Sequence, residues 1–115
     1  MCFIVTEETV NEAQKYLDNG DEIYFSGFEF AVPVDYIPDP EELQEKLNCF
    51  DAVDCDFQFD RDNWNVSVIA FGVFFHTIDD LIVEFIATKM ELAYLLKIDP
   101  FDHKFKFSLR VEIWY

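Results

Sequence analysis

Cations are what this chain has least of: eight Lys plus Arg stand against 24 Asp plus Glu in 115 residues, a formal net charge of -16 at pH 7. That balance opposes direct contact with DNA, RNA or anionic lipid, because those surfaces are negative and the chain has few cations with which to release their counterions. Cysteine is scarce too, and Cys2, Cys49 and Cys55 make an odd set. They read as reduced thiols rather than a disulfide scaffold. With no Cys-x-x-Cys, and with His76 and His103 far apart, the tight four-ligand spacing of a zinc site is missing. The only glycines are Gly20, Gly27 and Gly72, so a glycine-rich phosphate loop is excluded. Long apolar runs are also missing. The longest, Val68 to Phe75, is far short of the roughly 18 to 20 residues that span a bilayer. No Lys or Arg precedes Lys15, and Glu7 and Glu8 follow only a few apolar residues, which is not the pattern of a signal peptide. The expected location is the cytoplasm, that of a host if the protein is phage-encoded.

What the chain does have is apolar mass. Hydrophobic residues make up 51% of it, which separates it from intrinsically disordered chains of similar charge. Its length suits a single domain spanning residues 1–115. Fourteen Phe, most at positions expected to face inward, point to a bulky aromatic core.

Local patterns divide the chain into alternating elements. Cys2 to Val5 reads as a short edge strand. Thr6 followed by Glu7 and Glu8 caps a helix expected over about residues 7 to 18, with Val10, Ala13, Tyr16 and Leu17 at helical spacing before Asn19-Gly20. Glu22 to Val32 is a strand with a bulge at Gly27. Pro33, Pro38 and Pro40 bracket a loop in which Tyr36 and Ile37 are exposed or tucked onto the core. Asp39 as N-cap, Pro40 at the first helical position and Glu42 as the partner of a capping box start a second helix, Pro40 to Cys49, burying Leu43, Leu47 and Phe50. Val53, Cys55, Phe57 and Phe59 then alternate with Asp54, Asp56, Gln58 and Asp60, a turn follows at Arg61-Asp62-Asn63, and Trp64 to Phe75 returns as one long strand. The two-sided apolarity of its second half, from Ile69, suggests a central place in the sheet. Thr77 with Asp79 and Asp80 starts a third helix that runs to about Leu96, where Lys97 suits its end. Its apolar face takes in Leu81, Ile82, Phe85, Ile86, Lys89, Leu92, Ala93 and Leu96. After Asp99-Pro100, Lys104 to Tyr115 alternates again. The expected class is α+β: an antiparallel sheet of four to five strands, with about three helices mainly on one face.

The negative charge is concentrated. Residues 1–62 hold 17 acids and three bases, whereas residues 63–115 hold seven and five. Within residues 35–62, Asp35, Asp39, Glu41, Glu42, Glu45, Asp51, Asp54, Asp56, Asp60 and Asp62 face only Lys46 and Arg61. Helical neighbours at i and i+4 lie about 6 Å apart. Alternate strand residues such as Asp54 and Asp56 lie about 6.6 Å apart. These spacings resemble successive phosphates on a nucleic-acid backbone. Tyr36, Phe50 and Trp64 stand beside the cluster as candidate aromatic anchors.

Catalytic readings fare poorly. His76 is isolated before a helix start, and Cys49 and Cys55 have acidic neighbours, which raise a thiol pKa. No carboxylate pair is singled out for glycosidase chemistry. Counting an EF-hand loop from Asp60 puts Trp64, Asn65 and Phe71 at the required positions, and counting from Asp54 puts Gln58, Phe59 and Asn65 there, so neither fits. No enzyme, metal or cofactor is expected.

The expectation is an inhibitor acting as a DNA mimic toward a basic nucleic-acid-handling protein, most concretely a nuclease of a CRISPR or restriction defence system, bound through the ten acids together with Tyr36 and Trp64. Immunity to a nuclease toxin would use the same chemistry. Two bland alternatives stand beside it: an acidic surface serving solubility alone, and cross-strand pairing of Lys104, Lys106 and Arg110 with Asp54, Asp56 and Asp60. A homodimer or adaptor using Phe101, Trp114 and Tyr115 is the alternative of a different class.

Overall fold

The computed structural model describes residues 1–50, 52–70 and 72–114, and at 49, 50, 52 and 53 the backbone alone. Strand β1 (Cys2–Val5) leads into a turn in which Thr6 Oγ1 accepts from the backbone N–H groups of Glu8 and Thr9. The expected first helix is more broken than its spacing suggests. A 3-10 turn, Val10–Ala13, precedes a single α turn, α1 (Gln14–Asp18), because the Thr6 and Thr9 hydroxyls engage each other and, through Thr9, the Ile4 carbonyl, drawing the entry toward a side-chain-bonded turn. Strand β2 (Glu22–Pro33) follows, then a 3-10 turn at Val34–Tyr36.

Helix α2 (Pro40–Lys46) starts where its capping signal lies, with Asp39 Oδ1 accepting from the Glu42 N–H at 3.2 Å. It gives way to a 3-10 turn over Leu47–Phe50, so the α portion is shorter than Pro40 to Cys49. Leu43 and Leu47 are buried as expected, and the Phe50 side chain lies outside the described residues. Strands β3 (Ala52–Asp60) and β4 (Asn63–Ala70) form a hairpin closed by Arg61 and Asp62. The long return strand is interrupted. Gly27 of β2 pairs with Ile69, but three residues back Tyr24 pairs with Phe74, five residues on, so the returning chain carries two extra residues between β4 and β5 (Phe74–Phe75). The excess falls where β2 itself bulges. Gly27, at φ 153, sits there because a Cβ would come within 2.1 Å of the Val68 carbonyl oxygen.

Helix α3 (Ile78–Leu96) is capped by Thr77, whose Oγ1 accepts from the Asp80 N–H. It ends with Lys97 in the left-handed region, donating to the Tyr94 carbonyl while Ile98 donates to that of Ala93, the paired bonds of a Schellman motif. Strand β6 (Lys106–Trp114) completes the chain.

All pairings are antiparallel, and the strand order is β1-β6-β2-β4-β3, with β5 on β2. The α+β expectation holds. One sheet face carries Ile23, Phe28, Phe30, Val66, Val68, Leu109 and Val111, which pack with Leu81, Phe85, Leu92 and Leu96 of α3 in a single core. The other face is uncovered by helices and shows the alternate, mostly polar residues. Three positions depart from the sequence pattern. Ile69 is exposed because it points from β4 onto the sheet face that no helix covers, Val73 is exposed in the segment between β4 and β5, and Ile86 is exposed because it lies on the outer side of α3.

Candidate acidic interface

Nine of the ten acids can be placed; Asp51 lies outside the described residues. Asp35, Asp39, Glu41, Glu42, Glu45, Asp54, Asp56, Asp60 and Asp62 are all exposed. Among the described residues only one of the nine is in an ion pair, Glu42 with Lys46 at 3.2 Å. They do not form one continuous face. Asp39 caps the N-terminus of α2, and Glu41, Glu42 and Glu45 lie on the side of α2 away from buried Leu43 and Leu47, so these four belong to the helical layer. Asp54, Asp56 and Asp60 project from the opposite, open face of β3, because Cys55 and Phe57 of that strand turn toward the core. The short 47–50 turn connects the two groups.

Strand order removes the alternative of internal neutralisation. Strand β3 is an edge with β4 as its neighbour, and β6 lies beyond both β4 and β2. Three interstrand steps amount to roughly 14 Å, too far for cross-strand pairs between Lys104, Lys106 or Arg110 and the β3 aspartates. Arg110 instead pairs with Glu29 of β2. Across the open face, Lys106 and Gln58 share a row with Ala31 and Asn65 between them. The small residues of that row leave a hollow of about 540 Å³, with Asp60 and Asp62 on one wall and His103, Lys104 and Lys106 on the other. This basic wall is the feature that sequence reading missed. Its alternation was visible, but its distance from β3 depends on strand order.

On the helical side, a groove of about 400 Å³ runs between α2 and the C-terminal end of α3, lined by Asp35, Tyr36, Asp39, Glu42, Lys46 and Lys97 among others. Tyr36 does not stand free as an anchor. Its hydroxyl donates to Asp102 Oδ2 at 2.6 Å, tying the Val34–Tyr36 turn to the loop before β6. That bond is the leading cause of a raised Tyr36 pKa, and it also holds the Asp102 carboxyl below its ordinary value, helped by the Lys104 backbone N–H. Trp64 is likewise occupied, half-buried and edge-on to Phe57 and Phe59 at 6.1 and 5.4 Å, and its Nε1 has no partner among the described residues. Phe50 lies outside the described side chains.

The C-terminal aromatics are partly engaged as well. Trp114 is half-exposed, packs on Tyr24 and Phe74, and donates from Nε1 to Glu112; Tyr115 lies outside the described residues. Burial first, and Asp54 second, raise the pKa of the Cys55 thiol, which makes it a poor nucleophile. Among the described residues no cluster of three or more His, Cys, Asp or Glu is arranged to hold a metal ion, and no helix is long and apolar enough to cross a membrane.

No family model matches the chain, and neither a curated protein nor a solved structure matches it. The chemistry of the surface must therefore carry the functional argument.

Proposed function

We propose that this protein binds a basic nucleic-acid-handling protein, most concretely a nuclease, and occupies its nucleic-acid site with carboxylates in place of phosphates. One observation carries the reading: nine exposed carboxylates, on α2, on β3 and in the turns beside them, share a single ion pair among the described residues. A cationic channel supplies the missing countercharge, and long-range attraction between the two surfaces speeds encounter. Mutual repulsion within the acidic cluster costs stability in the isolated protein and is relieved in the complex. A phage-type inhibitor of a defence nuclease and an immunity protein against a nuclease toxin share this chemistry, and the identity of the bound protein distinguishes them.

The test is capture from a bacterial extract at low and high salt, comparing wild type with the Glu41→Lys/Glu42→Lys/Glu45→Lys variant, followed by mass spectrometry and a nuclease assay on what is retained. A nuclease held by wild type, released by salt, lost by the variant and inhibited when bound is the expected result. Retention of the same proteins by both forms would exclude the α2 carboxylates from binding.

A further inference from the structure

The open face of the sheet is polarised across its strands. In one row running from β6 through β2 and β4 to β3, Arg110 stands level with Gly27, Ile69 and Asp54. In another, Lys106 stands level with Ala31, Asn65 and Gln58. Beyond it, Lys104 and Asp60 line opposite walls of one hollow. One outer strand is therefore basic and the other acidic. Lys104, Lys106, Asp54 and Asp60 make no ion pair among the described residues, since three interstrand steps, roughly 14 Å, hold the two strands apart. Counting Glu29, which pairs with Arg110, the four acids Glu29, Asp54, Asp56 and Asp60 face three bases. In a chain of net charge -16 this face is close to neutral, with its opposite charges on separate edges.

We infer that the open face is the contact surface for a second copy of this chain, the two sheets stacked about a two-fold axis that runs parallel to the strands, midway between β2 and β4. Such an axis keeps each row level and exchanges its ends, so β6 of each copy lies over β3 of the other. Arg110 then meets the partner's Asp54, Lys104 meets the partner's Asp60, and Lys106 reaches the carboxylates on either side of the partner's Gln58. Long Lys and Arg side chains span the offset that sheet twist introduces. In the middle, Ile69, 43% exposed, falls opposite the partner's Gly27, where no side chain stands in its way. An axis across the strands would instead stack β3 on β3, acid against acid, so charge selects the first arrangement. The α2 carboxylates lie on the opposite layer and stay free in the dimer. The face, about 14 Å between its outer strands and about 20 Å along them, is smaller than the roughly 800 Å² per partner of a standard interface. The dimer is accordingly weak, with a Kd on the order of 100 μM.

Sedimentation equilibrium of the full chain, from micromolar to millimolar concentration at about 0.15 M salt, tests this. Wild type should dimerise. Asp60→Lys alone should weaken the dimer about tenfold although it reduces net charge, because each Lys104 then faces a cation. Lys104→Asp alone should weaken it similarly. An equimolar mixture of the two variants should associate as strongly as wild type, since both crossings in the mixed dimer again join opposite charges. Both sites are exposed, so each variant should keep the circular dichroism spectrum and melting transition of wild type. A wild-type monomer throughout the range overturns the proposal, as does a dimer indifferent to either single substitution. Failure of the mixture to recover association overturns the two-fold arrangement, which alone sets Lys104 over the partner's Asp60 on both sides of the axis.

Discussion

Replacing Asp54, Asp56 and Asp60 together by Asn should stabilise the protein. The three carboxylates project from one face of an edge strand, and the cations of β6 lie three interstrand steps away. Asp54 and Asp56, two strand residues apart, are separated by about 6.6 Å. Their repulsion is then about 0.6 kcal/mol in bulk water. Screening at physiological salt reduces it to about 0.3 kcal/mol. Asp60 lies two repeats beyond Asp56 and adds little to either directly, but all three also feel the rest of a chain of net charge -16. Relief of about 0.5 to 1 kcal/mol is therefore expected at low ionic strength, falling toward zero near 1 M salt. Asn keeps an oxygen acceptor for the Gln58 amide, which donates to Asp56 at 2.9 Å, so the local hydrogen bond survives. If the aspartates were instead paired with Lys104, Lys106 and Arg110, each lost pair would cost about 0.2 to 1 kcal/mol, and the sign would reverse. Urea unfolding of wild type and the triple variant at about 0.01 M and 1 M salt measures the difference. A triple Asn variant less stable than wild type at low salt would refute the placement of β3 away from β6.

Two further substitutions probe the framework that holds these charges. Gly27→Ala should cost about 2 to 5 kcal/mol in urea or thermal unfolding, since the new methyl group meets the Val68 carbonyl at a φ that L-residues rarely adopt; a cost under about 1 kcal/mol would mean the bulge relaxes freely. Tyr36→Phe should destabilise the protein in a pH-dependent way. Asp102 has a lowered pKa in the folded protein, so its contribution is present above the ordinary carboxylate value of about 3.9 and is lost as pH falls through the lowered one. Tyr36 has a raised pKa, so its contribution is present below about 10 and is lost as pH rises through the raised value. The gap between wild type and variant should be level between those limits and close outside them. A gap that persists unchanged below pH 3 would show that the Tyr36–Asp102 bond is not its source.

Sequence alone determined the elements whose signals are local. The Asp39 and Thr77 caps, the alternation through Cys55 and Phe57, the bulge at Gly27 and the stop at Lys97 each depend on a few neighbouring residues and on backbone preferences that operate within a turn or a strand. The concentration of carboxylates in residues 35–62 was likewise visible, since it is a count along the chain. Tertiary structure decided what those signals could not. An antiparallel strand offers a hydrogen-bonding edge on each side, and nothing local in Lys104 to Trp114 selects β1 and β2 as its neighbours rather than β3. That selection leaves the β3 aspartates without an ion pair among the described residues, and the packing of Cys55 and Phe57 on the core turns them away from the α2 carboxylates. Tyr36 and Trp64 looked like available anchors because a side chain's distant partners, Asp102 for one and the Phe57 and Phe59 rings for the other, come together only once the sheet has closed. The apolar face of α3 carries the same ambiguity. Hydrophobic spacing named one wide face that ran from Leu81 and Phe85 to Ile86, and only packing against the sheet separates the filled part from Ile86, which with Val83, Met90 and Tyr94 stays in contact with water.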